Sequence, residues 1–524
     1  MLFSSSRLAS LLIVLSLLIL TPLAARAGDA GCVPAAVPAS TTGATVLGNG
    51  TPGSVTTAQI QAALNAGGPI VFDLGPNPVT IALDAELVAT RAAVLDGGGL
   101  VTLDGGGARR VLRIDNPSNL TYTLTLQHLG IRGGATPGGS GAGVYKPSGG
   151  PWQAVSLDVV GCWFEDNIAI TTAQDDGGGA LYAVGMDRVA IDGSSFIGNR
   201  GSNGGAVYSL GSKTLEITGS VFDDNRATGT DGNPGNGGNG GALGVDGAER
   251  TVRLCDVRIE NSRANAFGAG FFSVMYDAAS LTRFEAVTFA GNVNPSDTFG
   301  FAGGAYLQGG PFEIERSSFV GNAARGVGAL FLGPGASGTI VNSTFQGNIA
   351  RASLAGGLSI DSSVTVSIVN STIVENEAPC DVCFAAGISN SAGNGITLQN
   401  TILADNVGGN VFNPWNIRHP VADGGGNLQF PRERPNGQQE PAATPTVLWL
   451  DPQLDPPAMN GGPTPTMALP ATSPAVDAGV SAGAPPIDQR GVARDALVDI
   501  GAYELGVLFA DGFETGDLTA WSGP

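Results

Sequence analysis

The sequence predicts an all-β protein that folds as a right-handed, single-stranded parallel β-helix. The first observation behind this prediction is a short pattern, an apolar residue followed three positions later by Asn or Ser, which recurs at intervals of about 30 residues. A period of this length is typical of solenoids, in which each repeat forms one coil. The copies begin at Phe164, Phe196, Phe222, Ile259, Phe289, Phe319, Phe345, Ile373 and Leu403.

A second motif lies between these copies and consists of small residues followed by an apolar or aromatic residue. Clear examples, each beginning with Gly-Gly-Ala, occupy residues 178–181, 204–207, 240–243 and 303–306. Glycine permits tight turns and close approach of neighbouring backbones, which a stack of coils requires. The two alternating motifs therefore mark the turns and the core-facing segments of each repeat.

The third observation is an alternation of apolar and polar positions just before the recurring pattern. Five residues before its first position the residue is apolar in all nine copies, and the residue before that is polar in eight of them. Such alternation indicates a strand with one buried face. Insertions collect between the recurring Asn and the next small-residue motif, as in residues 229–241, so we expect the loops on one edge of the rod.

Asparagine occupies the last position of the recurring pattern in eight of the nine copies. Its side chain tolerates the left-handed backbone of a sharp turn, and stacked amides can hydrogen-bond from coil to coil. We therefore interpret this column as a structural ladder and not as a ligand site. Its members are Asn167, Asn199, Asn225, Asn292, Asn322, Asn348, Asn376 and Asn406.

The composition argues against two classes of partner. The formal net charge is −20, the chain has two lysines, Lys146 and Lys213, and no basic run occurs. Because nucleic acid and anionic membrane surfaces are bound through clustered cations, neither is an expected partner. Charged residues make up 13% of the chain and apolar residues 42%, which favours a large core over disorder.

Residues 1–27 have the features of an export signal. Arg7 supplies a positive charge, residues 11–20 are apolar except for Ser16, and residues 25–27 fit a small-x-small cleavage site. The apolar run is shorter than the roughly 20 residues that a membrane helix needs. We expect a secreted or cell-surface protein, extracellular or associated with the outer membrane, with no transmembrane helix after signal removal.

The chain has five cysteines. In the oxidising compartment that export implies, Cys380 and Cys383 are expected to form a small local disulfide, with a redox or zinc site as the alternative. Cys162 and Cys255 fall at different positions of the repeat, about three repeats apart. We therefore do not expect these two to bridge each other.

The segment before the repeats predicts a short amphipathic helix over residues 57–66, with Ile60 and Leu64 on one face. Apolar strand segments follow at residues 70–72, 79–83, 93–95 and 101–103. This arrangement resembles the N-terminal cap and first coils of pectin-lyase-like β-helices. The resemblance implies a pectin-lyase-like solenoid.

The alternation of Gly-Gly-Ala-apolar and Phe-x-x-Asn over residues 131–406 resembles the repeats of the polymorphic outer membrane proteins. In that family the repeats form β-helix passenger regions of surface adhesins. The resemblance implies an adhesin-like rod. The C-terminal barrel of the family has no counterpart here, because residues 407–524 are rich in Pro and lack long alternating strands.

Residues 450–504 resemble the choice-of-anchor Q region found at the end of secreted β-helix proteins. The matching motifs occupy residues 451–454, 460–466, 473–479, 488–491 and 499–504. Because repeat rods need distinct terminal caps over their open ends, we expect this region to be the C-terminal cap.

Together these observations predict six regions. They are a signal peptide (1–27), an N-terminal cap with the first coils (28–130), the β-helix repeats (131–410), an irregular Pro- and Gly-rich segment (411–449), the C-terminal cap (450–506) and a C-terminal tail (507–524).

Stacked carboxylates are the candidates for chemistry, because glycosidases use two carboxylates roughly 5–9.5 Å apart and lyases combine Ca²⁺-holding acids with a base. Glu285 and Glu315 occupy equivalent positions in adjacent coils, and Glu375 and Asp405 form a second pair. No basic residue matches them in the same column, and the alternation predicts that they point into solvent. We predict no catalytic, cofactor or metal site, with a weak Ca²⁺ site as the alternative.

The sequence thus favours an exported, non-catalytic β-helix that binds a glycan or a protein at the cell surface. Two alternatives stay open: a polysaccharide lyase or glycoside hydrolase of the pectin-lyase-like class, and a purely structural envelope protein. The enzyme would need a groove in which carboxylates and a cation converge. The structural protein would bind neither glycans nor cells.

Overall fold

A computed structural model describes residues 31–170, 173–232, 235–248, 250–298 and 300–506. These residues form a parallel β-solenoid of about 11 turns, in which helix accounts for 2% of the chain. The prediction of an all-β, parallel β-helix is therefore confirmed. The predicted signal peptide and the predicted C-terminal tail lie outside the described residues.

One face of the rod, named sheet I here, contains 11 parallel strands and receives one strand from each coil. The strands of sheet I are Leu87–Ala89, Leu112–Ile114, Val144–Lys146, Leu181–Val184, Val207–Leu210, Leu243–Gly247, Phe271–Met275, Ala305–Gln308, Leu330–Leu332, Leu358–Ile360 and Ile388–Ser389.

The next two segments of each coil form sheet II, with 23 strands. Four of its strands run through the turn between those segments, namely Ala93–Asp104, Tyr122–Arg132, Thr251–Glu260 and Leu281–Ala290. The others are Thr45–Gly48, Gly68–Asp73, Val79–Ala82, Val155–Val160, Trp163–Glu165, Arg188–Asp192, Ser195–Ile197, Thr214–Thr218, Val221–Asp223, Pro311–Glu315, Ser318–Val320, Ser337–Val341, Thr344–Gln346, Thr365–Val369, Thr372–Val374, Gly395–Gln399, Ile402–Ala404, Ala422–Asp423 and Leu428–Phe430.

Two short sheets of four strands follow the ladder position, on the edge where the longer loops leave the rod. Their strands are Ala135–Pro137, Ile168–Ile170, Arg200–Gly201 and Arg226–Ala227 in one sheet, and Ala323–Ala324, Ile349–Ala350, Glu377–Ala378 and Val407–Gly408 in the other.

The helix Thr57–Ala66 begins and ends at the predicted residues. Thr56 caps it, because its side-chain oxygen accepts a hydrogen bond from the Gln59 N–H while the Gln59 side chain accepts one from the Thr56 N–H at 2.8 Å. Ile60 and Leu64 are buried on the inner face. In the described part of the chain, no helix is long and apolar enough to cross a membrane.

The recurring phenylalanines fill the interior of the rod. Neighbouring rings within a stack lie 4.6–4.7 Å apart and are nearly parallel, which is a favourable packing for aromatic side chains. Ile259 separates two stacks of fully buried rings. The stacks are Phe164–Phe196–Phe222 and Phe289–Phe319–Phe345.

The asparagine column forms a hydrogen-bonded ladder beside these stacks. The Nδ2 of Asn322 donates to Asn348 Oδ1 and to the Phe289 carbonyl, both at 2.9 Å. Its Oδ1 accepts from the backbone N and from Nδ2 of Asn292, at 3.0 and 2.9 Å. Ser262 divides the ladder into two fully buried runs. The runs are Asn167–Asn199–Asn225 and Asn292–Asn322–Asn348–Asn376–Asn406–Asn416.

Residues 31–40 form an extended segment, the N-terminal strap, along the outer side of sheet II. A disulfide joins Cys32 to Cys255 near one end of the strap. Near the other end, the Ala39 N–H donates to Gln127 Oε1 at 2.8 Å. Ala35 is buried between these points. The strap therefore crosses several coils and is covalently fixed to one of them.

The cysteines pair in a way that the sequence did not reveal. Cys162 and Cys255 do not bridge each other, as predicted, but the partner of Cys255 is Cys32, 223 residues away. Cys162 is a buried free thiol. Burial raises the pKa of the Cys162 thiol to about 12, so it stays protonated and unreactive at neutral pH.

We expected residues 450–506 to cover the open end of the rod, but they run back along its side. The segment 451–505, the C-terminal strap, receives hydrogen bonds from Asn342 Nδ2 at the Ile487 carbonyl (2.8 Å) and from Asn370 Nδ2 at the Asp499 carbonyl (3.1 Å). It reaches back to the Arg316 carbonyl. The asparagine amides at the turns of sheet II bind the backbone of the segment, and its residues Met467, Leu469 and Ile500 are buried in one apolar cluster with residues of sheet II. Both kinds of contact hold the segment on the side of the rod.

Residues 411–449, predicted to be irregular, contain further solenoid structure. Strands Ala422–Asp423 and Leu428–Phe430 pair in parallel with the preceding coil, and Asn416 extends the ladder. These strands have only two or three residues, which is too short for apolar alternation to appear in the sequence.

Candidate functional site

The predicted cysteine pair lies in the loop after strand Glu377–Ala378. Cys380 and Cys383 are joined by a disulfide, and Cys383 is fully buried against Ala350. Asn410 Nδ2 donates to the Cys383 carbonyl at 2.9 Å. The pair therefore acts as a staple of this loop. Among the described residues, no group of three or more His, Cys, Asp and Glu side chains is arranged to hold a metal ion.

Glu375 and Asp405 stack at the turn just before the ladder asparagines. Both adopt the left-handed backbone conformation, with φ of 55° and 52°. Burial, and then the negative charges of Asp451 and Glu375, raise the pKa of Asp405 to about 6. Gln346 Nε2 donates to Glu375 Oε2 at 2.6 Å. The pair is thus a turn element in which like charges repel.

Glu285 is buried, so the prediction of a solvated carboxylate is wrong for this residue. Its side chain is 9% exposed, and its carboxylate oxygens lie 3.0–3.6 Å from three guanidinium groups. Gly31 of the N-terminal strap covers it, since a Cβ at Gly31 would lie 2.7 Å from Glu285 Oε1. Alternation places Glu285 on the outer side of sheet II, but the strap shields that side. The three arginines are Arg253, Arg283 and Arg316.

The outer side of sheet I carries a column of aromatic side chains that sequence reasoning missed. In each strand, the residue just before the aromatic residue points into the core. Neighbouring rings within a group lie 4.9–6.1 Å apart. The groups are Tyr145–Tyr182–Tyr208 and Phe272–Tyr306–Phe331.

Gly244 interrupts this aromatic column. The strand register places it between Tyr208 and Phe272, where an aromatic ring would otherwise stand. A Cβ at Gly244 would lie 2.7 Å from the Tyr208 ring, so that ring leans into the space above the glycine. The aromatic column is therefore interrupted at this coil, where the Tyr208 ring covers Gly244.

A cleft of about 240 Å³ lies beside the interruption. Phe272 and Tyr306 are 1% and 8% exposed and form its floor, whereas Tyr276 is 66% exposed and stands at its opening. Phe267 packs against the Tyr306 ring at 5.0 Å and closes one side. The polar side chains that line the cleft are Gln174, Asp246 and Gln308.

The polar groups of the cleft are coupled to one another. Partial burial, followed by a hydrogen bond to Asp246 and the charge of that carboxylate, raises the pKa of Tyr276 to about 12. The Tyr306 hydroxyl donates to Gln308 Oε1 at 2.7 Å. Burial lowers the pKa of Arg250 to about 10, although the charge of Asp246 opposes the change. Arg250 thus remains a cation behind the cleft and is 2% exposed.

The Tyr208 hydroxyl is a second polar feature next to the cleft. It is fully buried and has no hydrogen-bond partner among the described residues. Burial, and then the charges of Asp246 and Asp175, raise its pKa well above the ordinary value. Burial of a hydroxyl without a hydrogen-bond partner costs free energy.

No protein-family model and no curated protein matches the chain. The resemblances to polymorphic outer membrane proteins and to choice-of-anchor Q regions therefore remain expectations, whereas the parallel β-helix is observed. A function for the cleft therefore has to be inferred from the side chains that line it.

A signal for the aromatic column was present in the sequence. An aromatic residue stands next to or within several small-residue motifs, at Tyr182, Tyr208 and Tyr306, and Gly244 is the exception. The small-residue motif drew attention to the glycines and not to their neighbours. Tyr276 belongs to neither recurring motif, so its place at the cleft could not be predicted from periodicity.

Proposed function

We propose that this chain is an exported β-helix protein that binds a glycan through the cleft of sheet I without cleaving it. The observation that carries the proposal is a concave, aromatic-lined site with Asp246 and Gln308 among its polar groups. Apolar walls with a few placed polar groups are typical of small-ligand sites. Aromatic faces pack against the C–H groups of a sugar ring, while carboxylates and amides hydrogen-bond its hydroxyls.

The carboxylates around the cleft favour binding over cleavage. Among the described residues that line it, Asp246 is the one carboxylate, and Tyr276 hydrogen-bonds to it. Glycoside hydrolysis ordinarily uses two carboxyl groups roughly 5–9.5 Å apart on either side of the scissile bond. The single carboxylate in the described lining therefore supports glycan binding over the alternative of a glycoside hydrolase.

Export and surface location are parts of the same proposal. They are supported by the signal-like residues 1–27 and by two disulfides, which persist in oxidising compartments. The resemblance to polymorphic outer membrane proteins adds the adhesin-like role. Mass spectrometry of the protein exported from a bacterial host should find a mature chain that starts after residue 27. Recovery of the protein from the cytoplasm with residues 1–27 still attached would contradict export.

A glycan microarray probed with the full exported chain tests the binding function. We expect binding to a subset of glycans, and no new reducing ends or unsaturated products when the protein is incubated with polysaccharides, with or without Ca²⁺. Product formation that Asp246→Asn abolishes would instead establish an enzyme. Absence of glycan binding, together with absence of cell binding, would favour the structural envelope protein.

A further inference from the structure

The charge and the shape of the cleft narrow the class of ligand, and this step rests on the proposed function. We propose that the cleft takes one uncharged pyranose ring of a neutral glycan and rejects uronates and sulfated sugars. The ring would stack on Tyr276, and its hydroxyls would hydrogen-bond with Asp246 and Gln308.

The charges around the cleft disfavour an anionic sugar. The charged side chain in its described lining is Asp246, and Asp175 and Asp361 lie near enough to act on the neighbouring tyrosines. Arg250 interacts with the charge of Asp246, but it is 2% exposed and is not among the described residues that line the cleft. A second anion beside Asp246 would lose its hydration without gaining a cation. The net charge of −20 also repels anionic polymers at long range.

The shape of the cleft suits one ring. Its volume of about 240 Å³ is below the roughly 300–1,000 Å³ of sites for drug-sized ligands. The Phe267 and Tyr306 rings lie 5.0 Å apart and are inclined by 28°, which leaves no room for a sugar between them. Tyr276 is 66% exposed and is therefore the aromatic surface that a ligand can cover.

The polar groups match hydroxyls that both donate and accept. A carboxylate offers about four acceptor sites, so Asp246 can accept from a sugar hydroxyl in addition to its bond with Tyr276. The Tyr306 hydroxyl engages Gln308 Oε1, which orients the amide and leaves its nitrogen to donate. Uncharged hydroxyls satisfy both requirements at once.

Titration calorimetry of the full exported chain tests the proposal. Neutral hexasaccharides of glucose, mannose and xylose are compared with hexagalacturonate and hexamannuronate. We expect at least one neutral hexasaccharide to bind and neither uronate to bind measurably. Tyr276→Ala should weaken neutral binding about tenfold, because it removes the exposed aromatic face. Phe412→Ala, which removes a 90% exposed ring outside the cleft lining, should change nothing.

Asp246→Asn separates charge from shape, since it keeps the size of the side chain. We expect it to weaken neutral binding and to allow measurable uronate binding. Preference of the unaltered protein for a uronate would overturn the ligand class but leave the proposed glycan binding intact. Neutral binding that Tyr276→Ala leaves unchanged would place the site elsewhere. Failure to bind any glycan on the array would overturn the proposed function itself.

Discussion

The coil formed by residues 240–262 differs from the coils on either side of it in the residues that it places at the stacked positions. The flanking coils repeat Phe in the core and Asn in the ladder and place an aromatic residue on the outer side of sheet I, so that rings stack and amides pair along the rod. The coil 240–262 breaks three such columns at once. Ile259 replaces the core phenylalanine, Ser262 the ladder asparagine and Gly244 the outward aromatic residue.

The difference shows where a repeat protein can depart from its pattern. Each coil of a solenoid contacts its neighbours only, so exceptions confined to one coil leave the columns in the other coils intact. The coil that breaks the columns also contributes Asp246 to the cleft and Cys255 to the disulfide with Cys32. Local rules are commonly broken at functional sites and compensated elsewhere. We therefore expect the disulfide between Cys32 and Cys255 to stabilise this coil.

Removal of the long-range disulfide should have the largest effect. Loop-closure entropy gives about 5 kcal/mol for a loop of this length and about 1.5 kcal/mol for a three-residue separation. Cys32→Ser should therefore lower the free energy of unfolding several-fold more than Cys383→Ser, and should expose residues 31–40 to protease. Urea denaturation and limited proteolysis check this. Equal effects of the two variants would show that the strap does not support the broken coil.

Asn322→Ala should have the next largest effect. It leaves the Phe289 carbonyl and the polar groups of Asn292 and Asn348 without their buried partners, and each orphaned group costs about 1–3 kcal/mol. We expect a loss of at least about 3 kcal/mol by urea denaturation. The control is Ser262→Ala, which removes a single bond to the Glu260 carbonyl and should cost about 1 kcal/mol. Similar losses would contradict the contrast between the two kinds of coil.

Ser262→Asn should repair the ladder. The new amide would connect Asn225 to Asn292 and add buried hydrogen bonds, with a net gain of about 1 kcal/mol. A rise in the thermal midpoint checks this result. A fall would mean that packing around Ile259 leaves no room for an amide, so that the interruption of the two columns is a single coupled feature.

Asp405→Asn should have the smallest effect. It tests whether the stacked carboxylates Glu375 and Asp405 destabilise the fold by repulsion. The pKa of Asp405 is about 6 in the folded protein and about 3.9 in the unfolded chain. The folded state therefore binds the proton more tightly, and the stability of the unaltered protein should fall as pH rises from 4 to 6. Because Asp405 is only partly buried and water screens its charge, Asp405→Asn should gain no more than about 1 kcal/mol at pH 7. The gain should vanish at pH 4, and a gain that is equal at both pH values would contradict this assignment.

The rod could be predicted because the residues that stabilise it recur at regular intervals in the sequence. Phe196 and Asn199 recur coil by coil, and stacking turns each recurrence into a contact that the sequence already displays. The two straps could not be predicted, because they carry no repeat and their contacts with the rod join residues far apart in the sequence. Their absence from the prediction also explains the error at Glu285, which alternation places outward but the N-terminal strap covers. The cleft escaped prediction because Tyr276 and Asp246 lie where the repeat fails.

The two straps have a consequence for how the molecule could be held. Gly31 lies beside Glu285, and Leu505 donates to Asp499, whose carbonyl binds Asn370. The positions of Glu285 and Asn370 are three coils apart, or about 15 Å along the axis at the usual strand spacing. A tether or neighbour joined through either segment would therefore hold the rod from its side, in the C-terminal half of the stack of coils.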